Sequence, residues 1–415
     1  MSGMKGNIGV YNLHMQTMGG GEKLTLALAE HLSLGHNVWL FHAGPLDVTS
    51  LEQFFGVDLS RVKTMALKSP GPLLRIVAKL RGRRAPAFSL HHYLQLRNLK
   101  LDLFFNNTYT SGLICPAARG VFMCMFPYRP APRPAAKSLP HRANDALVDW
   151  VEKCVTGFTV QNVVESYSTV VAISRYSAEW VHKMWGLRPA IIYPPCDDMG
   201  PGAAKQKILL HVGRFIADNG ERERHHKGQG ILLETFKGMT DLHREGWELH
   251  FTGSVGADEE SAKSAAALVQ AAKGFPVTFH FNAGREEMRD LYRRAAIYWH
   301  ATGYGFPADD YPAKQEHFGI TTVEAMSAGA VPVVKGSGGQ KEVVTHEVDG
   351  LCWDDTADLV SRTLRLVNDP DLRGRLSRQA VASSKRFGRD AFAASVDQLV
   401  GHLLSGDSAQ PFSGR

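Results

Sequence analysis

The sequence predicts an α/β protein of two doubly wound, Rossmann-like domains facing across a cleft. Three observations carry that expectation. The chain opens as strand, helix and strand: a buried run at Ile8–Tyr11, a helical pattern through Leu24, Leu28 and Leu32 that stops at Gly35, and a second run at Asn37–Phe41. That order imposes a parallel sheet with helices packed over it. The stretch Pro194–Gln206, PPCDDMGPGAAKQ, is built of prolines, glycines and small residues and reads as a linker. Lys207–Val212 then restarts the strand pattern, and a second α/β unit follows. The expected organisation is residues 1–195 for the first domain, 196–206 for the linker and 207–385 for the second domain. Residues 386–404 form a last helix crossing back to the first domain, and 405–415 a polar, disordered tail.

Bulk numbers narrow the class. With 415 residues, 44% of them apolar, the chain can bury large cores. A formal charge of +6 suits anionic ligands or a membrane surface and does not call for nucleic acid. Cys115, Cys124, Cys154, Cys196 and Cys352 are scattered without CxxC pairs, which argues against a disulfide framework or zinc site and for a reducing cytosol. No signal peptide is apparent, and no run reaches the roughly 20 apolar residues that span a bilayer. The expected location is cytoplasmic. Pro70–Arg84, PGPLLRIVAKLRGRR, is a short basic amphipathic segment. It reads either as a helix with a solvated basic face or as a peripheral membrane contact.

Further elements follow in order. Leu101–Asn106 and Val121–Phe126 read as buried strands, Arg129–Pro140 as a surface loop and Ala143–Tyr167 as a long helix. Val170–Ile173 is a strand, Ser174 caps a helix running to Trp185, and Ile191–Tyr193 ends the first sheet. In the second domain Trp247–Phe251, Val277–Phe281 and Ile297–His300 are strands, separated by helices near Gly228–Met239, Glu259–Ala272 and Glu286–Ala295. Asp371–Phe387 and Arg389–Leu404 close the chain as helices.

Candidate site residues cluster at strand ends. Gly19, Gly20 and Gly21 form the first strand-to-helix turn and admit a phosphate or sugar near the backbone, or simply make a tight turn. They do not make a GxGxxG fingerprint, and His42 rather than an acid ends the second strand, so a dinucleotide-dependent dehydrogenase is disfavoured. Arg214 follows the first strand of the second domain, and Lys227 opens its first helix. An arginine and a lysine there can clamp a diphosphate, with Arg222 and Arg224 competing for the second role. The richest stretch is EHFGITTVEAMSAGAVPVV, from Glu316 to Val334. Phe318 and Gly319 lead into a helix start expected at Thr321, whose open amides, those of Ile320 and Thr321 among them, attract an anion. Glu316 and Glu324 flank that anion site and accept hydrogen bonds from hydroxyls; alternatively, Thr321 and Glu324 form a capping box. Phosphate in the middle and hydroxyls at both ends describe a nucleotide-sugar. Asp309 and Asp310 read as loop acids, and no metal or other cofactor is expected.

Glu316 and Glu324, seven residues apart, resemble the E-x7-E motif of the retaining glycosyltransferases of family 4, which have the GT-B fold, and the whole string with the following GSGGQKEVV resembles the Alg11-like mannosyltransferases. The resemblance implies transfer of a sugar from GDP-mannose or a UDP-sugar to a hydroxyl acceptor, a glycan or a lipid-linked saccharide. It assigns Glu316 to the sugar, Arg214 and Lys227 to the diphosphate, and Glu324 to the ribose. It also places the Gly20–Gly21 turn near phosphates and acceptor. Where the family carries a histidine that contacts the donor sugar, this chain has Met125, with His14 and His141 as candidate substitutes. That departure keeps a non-catalytic nucleotide-sugar binding protein as an alternative, beside a GT-B epimerase or phosphorylase.

Overall fold

The computed structural model describes residues 5–69, 71, 84–128, 150, 153–158, 160–201, 204–217, 227–256 and 258–405. The chain divides into two compact units. One is Met1–Ile192 with the return from Ala393 onward, and the other is Tyr193–Phe392.

The first unit holds a seven-stranded sheet of β1 (Asn7–Tyr11), β2 (Asn37–His42), β3 (Val62–Ala66), β4 (Leu103–Asn106), β5 (Gly120–Cys124), β6 (Thr169–Ala172) and β7 (Ala190–Ile191). Its order is β3-β2-β1-β4-β5-β6-β7, and its pairings are parallel. β4 and β5 are buried along their whole length, as strands covered on both faces must be. Tyr11, Phe41, Phe104 and Phe122 form the heart of one core. β3 is half exposed, so its sequence VKTMA shows no apolar run and escapes a reading based on hydrophobic runs. Much of the N-terminal part of the long helix expected over Ala143–Tyr167 lies outside the described residues, and its described part is not one continuous helix. Within its described part, Gly157 takes φ +80° and a 3-10 helix occupies Val160–Ser166.

The second unit holds β8 (Gln206–Val212), β9 (Glu248–Gly253), β10 (Val277–Phe281), β11 (Ala295–His300), β12 (Val331–Lys335) and β13 (Leu351–Trp353). The order is β10-β9-β8-β11-β12-β13, again parallel. Successive side chains of β8 feed opposite cores, because a strand alternates faces. Leu209 joins Phe236, Phe251, Trp299 and Trp353 on one side. Ile208, Leu210 and Val212 join Tyr292 and Tyr298 on the other. The two segments that enter and leave this unit run side by side within it. Cys196 N–H donates to the Phe387 carbonyl at 3.0 Å, and Asp197 takes Arg389 Nε at 2.9 Å.

Candidate active site

In each sheet the chain winds outward in one direction and then returns to build the other half. Such a reversal leaves a crevice at the strand carboxyl ends, the usual ligand position in open α/β sheets. In the second unit the reversal lies between β8 and β11. The turn Lys227-Gly228 leads into helix α1 (Gln229–Gly238), and it packs on the end of β11. A Cβ at Gly228, whose φ is +75°, would stand 2.6 Å from Ala301 Cβ, so only glycine fits. The lysine stem lies over Gly213, where an added Cβ would meet Lys227 Cβ at 3.1 Å. Its ammonium reaches Glu316, Nζ to Oε2 2.7 Å. His300, the last residue of β11, brings Nε2 to the same oxygen at 3.1 Å. Three charged or titratable groups from three segments thus converge, although 89 residues separate the lysine from the glutamate.

The Glu316 loop rests on the glycine string that follows β12. Gly339 N–H donates to the Glu316 carbonyl at 2.7 Å. A Cβ on Gly339 would fall 2.5 Å from the His317 carbonyl, and one on Gly338 would collide with that of Glu316. Gly319, at φ +115°, opens helix α2 (Ile320–Ser327). An added Cβ there would meet Gln340 Nε2 at 2.6 Å, and that amide donates to Thr322 Oγ1 at 2.9 Å. The helix therefore starts at Ile320, one residue before the expected Thr321, with no side-chain cap. The amides of Ile320 and Thr321 lie in its first turn, where no helical carbonyl precedes them. Thr321 Oγ1 pairs with Tyr298 Oη at 2.8 Å.

The capping-box alternative for Glu324 fails, because Thr321 is inside the helix. Glu324 instead accepts from Tyr292 Oη at 3.0 Å and is itself buried. Burial, then the Glu324 charge, push the Tyr292 phenol well above its ordinary range. At the far end of α2, Lys205 Nζ donates to the Ala328 carbonyl at 2.7 Å and to the Arg293 carbonyl at 2.9 Å. It thereby closes two helix carboxyl ends with one cation. Burial pushes its ammonium down to about 8.

Other expected site residues fall differently. Arg214 is exposed just past β8, and its neighbour Gly213 lies under Lys227. Arg222, Arg224 and His141 are outside the described residues, as is Pro70–Arg84 except at Gly71 and Arg84. Phe318 is 2% exposed, and its ring packs against Tyr193 and Phe387 with centroids 5.5 and 5.2 Å away. The residue missed from sequence is His300, since a histidine ending a strand reads as core. Burial holds its imidazole below the ordinary range, against the opposing pull of Glu316. Among the described residues no group of three or more His, Cys, Asp or Glu is placed to hold a metal ion.

In the first unit the reversal lies between β1 and β4. Gly20 and Gly21 begin helix α3 (Gly20–Ser33), with Glu22 Oε2 accepting from Gly19 N–H at 2.7 Å. Gly21 faces Met125: a Cβ there would be 2.6 Å from the methionine Cε. Met125 is therefore half buried over the glycine turn rather than in the core. Below lies a neutral polar cluster. Thr25 Oγ1 donates to the Gly21 carbonyl at 2.8 Å and accepts from Asn12 Nδ2 at 2.9 Å and Asn107 Nδ2 at 3.4 Å.

Comparison with known proteins agrees with this geometry. Residues 201–382 match the family model described as glycosyl transferases group 1. The chain is 26% identical over 227 residues to GDP-Man:Man(3)GlcNAc(2)-PP-Dol alpha-1,2-mannosyltransferase of Yarrowia lipolytica, covering 49% of this chain and 33% of that protein. It is 25% identical over 283 residues to alpha-1,3/1,6-mannosyltransferase ALG2 of Mus musculus, covering 62% of each. The matches thus span less than two thirds of these relatives' own lengths. Among solved structures, sucrose-phosphate synthase of Thermosynechococcus elongatus superposes with a TM-score of 0.67 at 19% identity, over 97% of this chain and 100% of that one. HepE of Anabaena, in complex with UDP and glucose, gives 0.63 at 16% over the same shares. The chain therefore has the two-domain, Rossmann-like GT-B fold, and its second domain carries the segment that matches the group 1 glycosyl transferases.

Proposed function

We propose that this protein is a retaining glycosyltransferase. It moves a sugar from a nucleotide-sugar, GDP-mannose or a UDP-sugar, to a hydroxyl acceptor such as a glycan or lipid-linked saccharide. The observation that carries the reading is the meeting of Lys227, Glu316 and His300 at the reversal of the second sheet, beside the open end of α2. An ammonium, a guanidinium and two helix amides suit a diphosphate, and carboxylates suit hydroxyls. In this reading Arg214, Lys227 and the amides of Ile320 and Thr321 hold the diphosphate. They stabilise the charge that builds as the glycosidic bond loosens, which is electrostatic catalysis by preorganised groups. Glu316 aligns the sugar and Glu324 the ribose. The positive charge comes from the chain itself, without a resident metal. The Gly20–Gly21 turn serves the acceptor.

The wording of the Glu316 string and the similarity to mannosyltransferases favour GDP-mannose as the first donor to try. The protein acts in the cytoplasm, with peripheral membrane contact through Pro70–Arg84. Among the described residues no helix is long and apolar enough to cross a membrane. A thermal-shift panel of nucleotide-sugars tests the donor: a ligand at 100 times its Kd adds about 2.7 kcal/mol. Product analysis with and without a hydroxyl acceptor then separates transfer from epimerisation, phosphorolysis or binding alone. Binding with no turnover under any acceptor would sink the enzymatic reading.

A further inference from the structure

We propose that His300 is a positioning residue that keeps Glu316 in its working orientation when Lys227 is drawn away to the donor. The inference rests on the functional reading above and adds a residue that neither the sequence motif nor the family match assigns.

Glu316 Oε2 is held from two sides of unequal character. The Lys227 side chain is 20% exposed and that of His300 only 2%, with Glu316 itself at 16%. Lysine is the outer partner and histidine the inner one. A diphosphate arriving at the open end of α2 carries more charge than a carboxylate and competes for the same ammonium. The flexible lysine stem can follow it. His300 ends a central strand and is 1% exposed, so it stays.

The proton on the ring can be placed by elimination. Nδ1 is buried and has no hydrogen-bond partner among the described residues. With the proton on Nδ1, a buried donor would be unpaired and the bare Nε2 lone pair would face a carboxylate oxygen at 3.1 Å. With the proton on Nε2, the ring donates to Glu316 and only an acceptor goes unmet, the cheaper arrangement. Burial disfavours the charged ring against the opposing pull of Glu316, and the nearby Lys227 charge acts in the same direction as burial. The contact is therefore a neutral N–H to carboxylate hydrogen bond, which persists without Lys227.

Three variants and one spectrum decide the matter. His300→Gln keeps a donor at about the reach of Nε2, whereas His300→Phe removes it and keeps the bulk. Misplacing a reacting group by about 1 Å can cost on the order of 100-fold. The expectation for H300F is thus a kcat lowered about 10- to 100-fold with donor KM within about threefold. Nucleoside-diphosphate affinity should be unchanged, and H300Q should recover most of kcat. In 15N-histidine spectra, the resonance lost in H300Q should report a neutral ring protonated at Nε2, and it should move in Glu316→Gln. A charged or Nδ1-protonated ring overturns the proposal, as does wild-type kcat in H300F. So does H300Q as impaired as H300F, which would mark a purely structural role. If the wild type turns over no nucleotide-sugar while the spectrum is as expected, the functional reading falls and the positioning role falls with it, leaving the contact alone established.

Discussion

The two sheet reversals share a topology and differ in chemistry. At the second, between β8 and β11, Lys227, Glu316 and His300 meet, with Arg214 exposed nearby. At the first, between β1 and β4, Glu22 and Lys23 are buried at the helix start, the Glu22 carboxylate taking the Gly19 amide, and the cluster beneath them is neutral: Asn12, Thr25 and Asn107. The same scaffold thus gathers a lysine, a glutamate and a histidine at one crevice, and at the other ties its carboxylate to a backbone amide above a cluster of amides and a hydroxyl. In the proposed reading the Lys227 edge takes the phosphate, where Coulomb attraction is strong and screened by salt. The Asn12–Thr25–Asn107 cluster orders its own loop through hydrogen bonds and adds no charge. The contrast follows from side chains and not from fold.

The largest test falls on the charged edge. Glu316→Ala should lower transfer about 100- to 1000-fold, the scale of losing one preorganised group, with the melting temperature little changed. Full activity would remove Glu316 from the chemistry. Next, Arg214→Ala or Lys227→Ala should weaken nucleoside-diphosphate binding about 10- to 100-fold and flatten its dependence on ionic strength. Titrations at two salt concentrations check this, and an unchanged salt slope would mean the diphosphate sits elsewhere. The Asn12–Thr25–Asn107 cluster should answer in stability instead. Thr25→Val strands the Asn12 and Asn107 amides, costing about 1–3 kcal/mol of stability, while diphosphate affinity stays as in the wild type. A Thr25→Val protein that is fully stable yet cannot bind the diphosphate would erase the contrast.

The smallest effect is expected behind α2. Lys205 titrates near 8 in the folded protein because of burial, below the ordinary lysine range near about 10.4. In that window the unfolded chain binds more protons, so this group's contribution to stability rises with pH. Lys205→Met should lose that rise, as denaturation midpoints at pH 7 and pH 10 would reveal.

The sequence made much of this legible, and where it failed the reason is physical. Continuous apolar runs such as LFFN in β4 mark strands buried on both faces. The edge strand β3 has no buried residue and gives no such mark. The helix Thr356–Asn368 went unread although its buried Leu359, Thr363 and Leu366 recur at helical spacing. Glu316 stood out through its string, yet the reason Gly338 and Gly339 follow it is visible only in space, where they bear on the loop from beneath. Glu324 has the spacing of a cap, and one residue of shift in the helix start turned it to Tyr292 instead. His300 carries no local signal at all: its partner is 16 residues away across a loop.

Gly338 and Gly339 leave no volume under the backbone from Glu316 to Phe318. For anyone redesigning this loop, the acidic segment and its glycine bed behave as one cassette. Grafting either half from another scaffold would jam the main chain, so both must be transplanted together.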